Sequence, residues 1–322
     1  LLPALKLTGG IRYSSDRKSR VGATVLDTLD SNGDVISRNT LQVNDASRDF
    51  SRTTWRVGVD YDSALGLIYA SVATGYKAGG FNDGCLAGPS APAQCVYTEN
   101  ELFYQPETLT AYEAGFKFRL TPEIRLNGSI FHYDYEGLQL SQLGDFGNCG
   151  LCQLTTNAAK AKVDGIELES VITPLQGLSI NLSVNWLDAR YAEFTPIPTV
   201  DFNGHPLARS PEWTWSAGFD YRYPLDNGGS LDLGARTRYS SSYDLTDLAN
   251  LMYFRQPSYT RTDLTLTYNS PNDRLSIGVF ARNLENNIVL TSAGFGSNGT
   301  GSDGTVSFAD PRTVGVRVGV RY

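Results

Sequence analysis

No stretch of this chain approaches the roughly 18 uninterrupted apolar residues that carry a helix across a bilayer, which excludes a helical membrane span within these residues. Methionine occurs once and histidine twice in 322 residues, against 32 Gly, 18 Tyr and 14 Phe. That balance favours strands and turns over helices. With His132 and His205 the only histidines, there is no HExxH pair, and neither a GxSxG elbow nor a Walker-type glycine loop occurs. No catalytic constellation remains, so an enzyme is not expected, and neither is a cofactor. His132, beside Phe131 and Tyr133, reads as a structural or girdle residue. The 27 Lys and Arg are scattered among 34 Asp and Glu, for a net charge of -7. This offers no basic face, and nucleic acid is not an expected partner. The opening residues Leu1 to Lys6 do not order a basic region, an apolar core and a cleavage site, so an export signal would lie upstream.

Cysteine is also scarce. The four form two close pairs, Cys85 with Cys95 and Cys149 with Cys152, in segments rich in Gly, Asn, Pro and Ala. Local disulfides in an oxidising compartment are expected, although four cysteines allow three pairings and sequence does not choose among them. Cys149-Gly-Leu-Cys152 could be read as a redox dithiol or half a zinc site. It lacks both the strand-then-helix context and a second ligand pair, so no metal is expected.

What is present is alternation. Leu67 to Asn82, LIYASVATGYKAGGFN, changes from apolar to glycine-rich part-way along, and as a helix it would hold Gly75, Gly79 and Gly80 in its interior at about 1 kcal/mol each. It reads as a strand entering a loop. Around it lie Leu5 to Ser14, Thr53 to Asp62, Thr108 to Leu120, Ile124 to about Leu140, Lys162 to Thr173 and Leu178 to Tyr191. A strand through Trp213 to Tyr223 follows, then Leu231 to Tyr243, Ser258 to Asn269, Leu275 to about Leu290 and Arg312 to Tyr322. These make about twelve strands of period two. Their connections alternate between short turns (Ser63 to Gly66, Thr121 to Glu123, Pro174 to Gly177, Asp226 to Gly229, Ser270 to Asp273) and long loops (to about Arg52, Asp83 to Pro106, Ser141 to Asn157, through Pro211, to Pro257, to Asp310). Outer-membrane barrels have this alternation, whereas sandwiches and propellers mix loop lengths or repeat a blade. Trp55, Trp186, Trp213 and Trp215 fall toward the long-loop ends, and Tyr61, Phe118, Tyr223, Tyr268 and Tyr322 toward the turn ends, as two interfacial girdles would require. The expected fold is therefore all-β, an antiparallel transmembrane β-barrel, with a soluble β-rich binding protein as the weaker alternative.

Several segments resemble the barrel of TonB-dependent outer-membrane receptors. They are Ala73 to Asn82; Tyr104-Gln105-Pro106-Glu107 with Thr110 to Lys117; Lys162 to Glu169; and the tail from Ala281-Arg282-Asn283-Leu284 through Pro311-Arg312 to Tyr322. The resemblance implies that residues 1–322 are the C-terminal part of a barrel of about 22 strands. A plug domain and a TonB-contacting segment, neither visible here, would lie upstream together with the remaining strands. It implies a bacterial outer-membrane location, outer-membrane lipid as a partner, and TonB-coupled uptake of a siderophore or other bulky nutrient. Arg56, Asp60, Lys77, Glu113, Lys117, Arg119, Glu167, Glu169, Asp220, Arg222, Arg236, Arg238, Arg282 and Arg317 would face the lumen and the plug. Loop residues Phe81, Asn82, Tyr97, Phe103, Tyr104, Phe146, Phe194, Phe202, Tyr253, Phe254 and Phe295 would contact cargo. Asp83, Glu99 and Glu101 make one loop acidic, which does not favour an anionic iron chelate and keeps haem, cobalamin and carbohydrate open. The rival reading is a self-contained passive pore of about twelve strands.

Overall fold

A run that alternates apolar and polar residues can place them on opposite sides only as a strand. The alternating runs of this chain form one antiparallel sheet of twelve strands. In chain order they are Leu5–Arg20, Ala46–Ser63, Gly66–Lys77, Glu107–Thr121, Ile124–Asp145, Leu151–Leu175, Leu178–Phe194, Trp213–Pro224, Ser230–Ser240, Tyr259–Asn269, Leu275–Arg282 and Thr313–Val320. Each pairs with its neighbours in that order, as a meander without crossovers. The computed structural model describes residues 4–43, 45–82, 103–145, 151–195, 201–246, 254–295 and 304–321, and no helix occurs among them.

Register fixes the faces. Leu7 lies opposite Val59, Val59 opposite Ala70, Ala70 opposite Ala114, Ala114 opposite Ile130, Ile130 opposite Ile166, and Ile166 opposite Trp186. At the far edge, Ile277 and Val279 stand opposite Val318 and Val316. This apolar face is uncovered: Ile130 is 58% exposed, Ile166 49% and Val316 67%. Trp55, Trp213 and Trp215 are exposed on the same face. The other face carries Ser71, Glu113, Ser129, Glu167, Asn185, Thr214 and Ser240 in matching register. The buried side chains gather at the loop end of the sheet, where Tyr191 and Phe194 pack with Leu140 and Ala159. The arrangement is the reverse of a soluble sheet, which hides its apolar face and wets the polar one.

Several strands run further than the hydrophobic pattern indicates. The expected loop to about Arg52 is instead the top of the first strand, a two-stranded arm of Ala23–Leu29 and Val35–Val43, and the start of the second strand. The expected loop Ser141 to Asn157 is mostly ladder, because the flanking strands run to Asp145 and resume at Leu151. Polar residues on both sides erase the alternation there, while backbone pairing continues. The expected strand to Leu290 ends at Arg282, where Asn283 and Asn286 take positive φ of 50° and 58°. The Asn283 amide donates to the carbonyls of Asn287 and Asp310 and turns the chain away. Residues from Leu290 then form a separate ladder with Gly304–Phe308. Tyr243 likewise leaves the ninth strand and pairs with Gln256.

The short turns are tight enough to dictate residues. Gly66 has φ +134°, and a Cβ there would run into the Lys117 carbonyl. The Ser63 hydroxyl closes that turn by donating to the Gly66 carbonyl at 2.7 Å. Gly66→Ala is expected to cost about 1–3 kcal/mol of stability. Gly9→Ala, where nothing lies within 4 Å of the added Cβ, should stay within about 0.5 kcal/mol; urea unfolding of the refolded protein checks both.

Candidate functional site

At the centre of the polar face, glycines let aromatic rings lie across neighbouring strands. A Cβ at Gly115 would meet the Tyr69 ring, and a Cβ at Gly165 would meet the Phe131 ring. Laid over Gly115, Tyr69 donates its hydroxyl to Glu113 Oε1 at 2.6 Å, and the Lys117 ammonium sits 6.0 Å from the ring centroid. Phe131 stacks on Tyr133 with centroids 4.7 Å apart. Glu113 faces Ser71 and Phe131 across the ladders, and Glu167 faces Ser129 and Asn185. These aromatic and carboxylate groups are fixed by backbone register, not by loops. They form a wall able to hold cationic and hydrogen-bonding partners without further ordering.

At the loop end, the glycine-rich segment that follows the third strand forms a clasp. Gly79 and Gly80 admit the Tyr104 carbonyl and ring and the Phe50 ring, positions that a Cβ would occupy. Lys18 Nζ donates to the Gly79 carbonyl at 2.7 Å, and Arg20 donates to the Asn82 carbonyl at 2.7 Å. The Asn82 amide mimics a strand by exchanging bonds of 2.8 and 2.7 Å with the Thr155 backbone. Gln139 Nε2 donates to the carbonyls of Ala78 and Gln105, at 3.1 and 3.0 Å. Asn157 donates to the carbonyls of Gln105 and Gly137 and accepts from the Gln105 amide. Phe103 is buried, edge-on to Phe81 at 4.8 Å and beneath the Arg48 guanidinium, also at 4.8 Å.

The structure puts Arg56, Lys77, Glu113, Lys117, Arg119, Glu167, Glu169, Arg236, Arg238, Arg282 and Arg317 on the polar face, as the alternation indicates. It does not gather them into one cluster. Lys77 lies 3.8 Å from Glu107, Arg236 bonds Asp220 at 3.2 Å, and Arg282 covers Phe280 at 5.2 Å. Among the cargo-contact candidates, Asn82, Phe103 and Phe194 are buried in packing, with 7%, 8% and 1% of their surface exposed. Phe202 packs on Phe194 and His205, and Phe81, Tyr104 and Phe254 are partly exposed. Tyr97, Phe146, Tyr253, Cys85, Cys95 and Cys149 lie outside the described residues, as do the side chains of Cys152 and Phe295.

Two features have no local sequence signal. On the apolar face, His132 Nδ1 lies 2.7 Å from Asp164 and Nε2 3.2 Å from Asp134, with Tyr112 alongside. Asp164 is 32 residues away and reaches His132 only through strand register. On the polar face near the loop end, Arg209, Arg236, Arg238 and Arg261 line one concavity with Tyr243 and Tyr259. Above the sheet, burial, with the Tyr259 hydroxyl adding to it, pushes the Tyr243 hydroxyl pKa up against the opposing effect of Arg209.

Gly165→Val is expected to force Phe131 off its seat and cost about 1–3 kcal/mol. Phe131→Ala in the same chain should recover part of that loss, a coupling that a double-mutant cycle by urea unfolding measures.

Residues 1–284 match the protein family described as TonB dependent receptor-like, beta-barrel. Solved structures of similar fold include the ferric yersiniabactin uptake receptor FyuA from Yersinia pestis, at 20% identity and TM-score 0.74, over 99% of this chain and 43% of that one. The ferric-catecholate import receptor Fiu from E. coli K12, in its closed form, is 19% identical with TM-score 0.69, over 98% of this chain and 42% of its own. The copper transporter OprC is 14% identical with TM-score 0.68, over 99% and 46%. The chain thus spans less than half the length of these solved structures. A family match over most of its length and a twelve-stranded antiparallel meander with a polar face and an exposed apolar face place this chain in the TonB-dependent receptor β-barrel family.

Proposed function

We propose that the protein carrying this chain is a bacterial outer-membrane receptor that takes up a scarce, bulky nutrient through TonB, with a ferric siderophore as the first candidate cargo. The observation that carries this reading is the inverted sheet, in which a continuous apolar face is exposed while the opposite face is lined with fixed charges and hydroxyls. Lipid is the solvent that suits the first face, and a water-filled or plugged interior suits the second. Names of similar structures support ferric cargo, since FyuA and Fiu are named for ferric yersiniabactin and ferric-catecholate import.

The passive pore is disfavoured by pairing. A closed barrel of twelve strands would join Leu5–Arg20 to Thr313–Val320, yet each of these has a single neighbour. Such an edge leaves unpaired backbone groups, which hydrocarbon does not tolerate. Further strands, from the upstream part of the same protein, would close the sheet. In that reading Glu113, Glu167 and the arginines of the polar face meet a plug domain, and passage requires the plug to shift under force from TonB. The described residues supply walls and positioned charge, and no step of bond chemistry is assigned to them.

Cells expressing the complete gene under iron limitation are expected to accumulate a radiolabelled ferric siderophore, and to lose that uptake when TonB is deleted. Uptake that persists without TonB, or steady ion conductance from the chain alone in planar bilayers, would contradict the proposal. For the lipid-facing surface, Ile130→Arg is expected to cost about 2–4 kcal/mol in vesicles. Ser129→Arg, on the other face, should cost well under half of that in the same urea titration.

A further inference from the structure

We propose that the apolar side of the sheet carries a lipid site, in which a hollow over Ala70 and Ala114 takes an acyl chain and the charged residues above it take a head bearing a phosphate and a primary amine. The occupant is a single phospholipid of the phosphoethanolamine class, held from the surrounding bilayer. The inference rests on the reading above that the apolar face meets lipid, and it names one lipid and its place.

In the apolar row that begins at Leu7 and Val59 and ends at Ile166 and Trp186, two neighbouring strands contribute only methyl groups, Ala70 and Ala114. Larger side chains stand on both sides, and the gap between them is a concavity of about 680 Å³. That volume lies within the roughly 300–1,000 Å³ range of small-molecule sites. Lipid tails are as apolar as these walls, so the hollow contributes shape and contact, and selectivity has to come from the head.

The next row toward the loops changes character. Val57 and Val72 lead in register to Tyr112, His132 and Asp164, and these last three close the loop-ward end of the hollow. One row further lie Thr74, Thr110, Asp134 and Lys162. His132 joins the two levels, with Nδ1 2.7 Å from Asp164 and Nε2 3.2 Å from Asp134. Asp134 also lines a second, smaller concavity of about 180 Å³, to which Arg52, Glu136, Thr108 and Thr110 contribute. Hollow and notch therefore meet at the His132–Asp134 contact, apolar below and polar above, which is the order of tail and head in a lipid leaflet. Trp55 beside the notch, and Tyr112 and Trp186 beside the hollow, are rings of the kind a bilayer interface selects. One imidazole shared by two carboxylates neutralises at most one of them, and Lys162 approaches Asp134 only to 4.0 Å. With Glu136 and Arg52 added the two signs are nearly balanced, which suits a zwitterion over a polyanion. A primary ammonium has three donors to offer Asp134 and Glu136, while the Arg52 guanidinium and the threonine hydroxyls match phosphate oxygens.

The complete protein, purified in detergent and stripped of lipid, would be titrated with phosphatidylethanolamine, with phosphatidylcholine and phosphatidylglycerol of identical chains, and with lipopolysaccharide, and retained lipid counted by native mass spectrometry. One phosphatidylethanolamine is expected to be held about tenfold more tightly than the other two phospholipids, because the choline head cannot donate to the carboxylates and the glycerol head lacks a cation. Ala114→Phe, which fills the hollow, should remove that lipid. Asp134→Asn combined with Glu136→Gln should reduce its hold to the choline level, and Val316→Phe, on the same face at the far edge, should leave it unchanged. Equal retention of the three phospholipids, a stronger hold on phosphatidylglycerol or lipopolysaccharide, or a preference that survives Ala114→Phe or is lost in Val316→Phe would overturn the site. The headgroup comparison is made in the unsubstituted protein and stands even if Ala114→Phe does not fold. In vesicles of the same lipids, free access of a water-soluble chelate to a label at Val316 would defeat the lipid-facing reading itself, whereas shielding there without a headgroup preference would defeat this site alone.

Discussion

Backbone hydrogen bonding is the constraint on which this structure depends. A sheet with one face exposed and apolar has no second layer to shield its peptide groups, so every N–H and C=O must be satisfied within the ladders. A meander of neighbour-only pairings gives every inner strand a partner on both sides along its central part, and the first and last strands a partner on one side. The two outermost strands each have one neighbour, and under the proposed reading further strands meet those edges and lipid meets the apolar face.

The glycines are the second organising element. Gly115 and Gly165 make room for Tyr69 and Phe131 to lie flat across the adjoining strand, which positions the Tyr69 hydroxyl on Glu113. Gly79 and Gly80 serve the clasp at the rim, where Asn82, Gln139 and Asn157 tie three strands together through backbone groups. The segments that carry the family resemblance are thus places where backbone and ring must approach closely. In physical terms they are positioning elements for a wall and a rim.

Much of this was legible in the sequence because period-two alternation is a direct image of two unlike environments. Val314, Val316 and Val318 against Arg317, or Ile166 and Leu168 against Glu167 and Glu169, assign their faces unaided. What could not be read has a common cause. Where both sides of a strand are polar, as from Ser15 to Arg20 and from Ser141 onward, pairing persists without alternation, so the sequence pattern there is that of a loop. The Asp134–His132–Asp164 group and the opposed Arg238 and Arg261 depend on register between segments 20 or more residues apart, which no local pattern encodes. The aromatic residues of the loops show a related limit. Their composition suggests ligand contact, but Phe103 and Phe194 are consumed by the packing that supports the rim.

The most direct test of the account is a nitroxide scan along Ile124–Asp145 and Thr313–Val320 in the complete protein, reconstituted in vesicles, reading collision with oxygen and with a water-soluble nickel chelate. Labels at Ile130, Val316 and Val318 are expected to collide with oxygen and to be shielded from the chelate, while labels at Ser129, Arg317 and Gly319 are expected to reverse that preference. Equal chelate access on both faces would mean that the apolar face is not in lipid, and would contradict the account at its base.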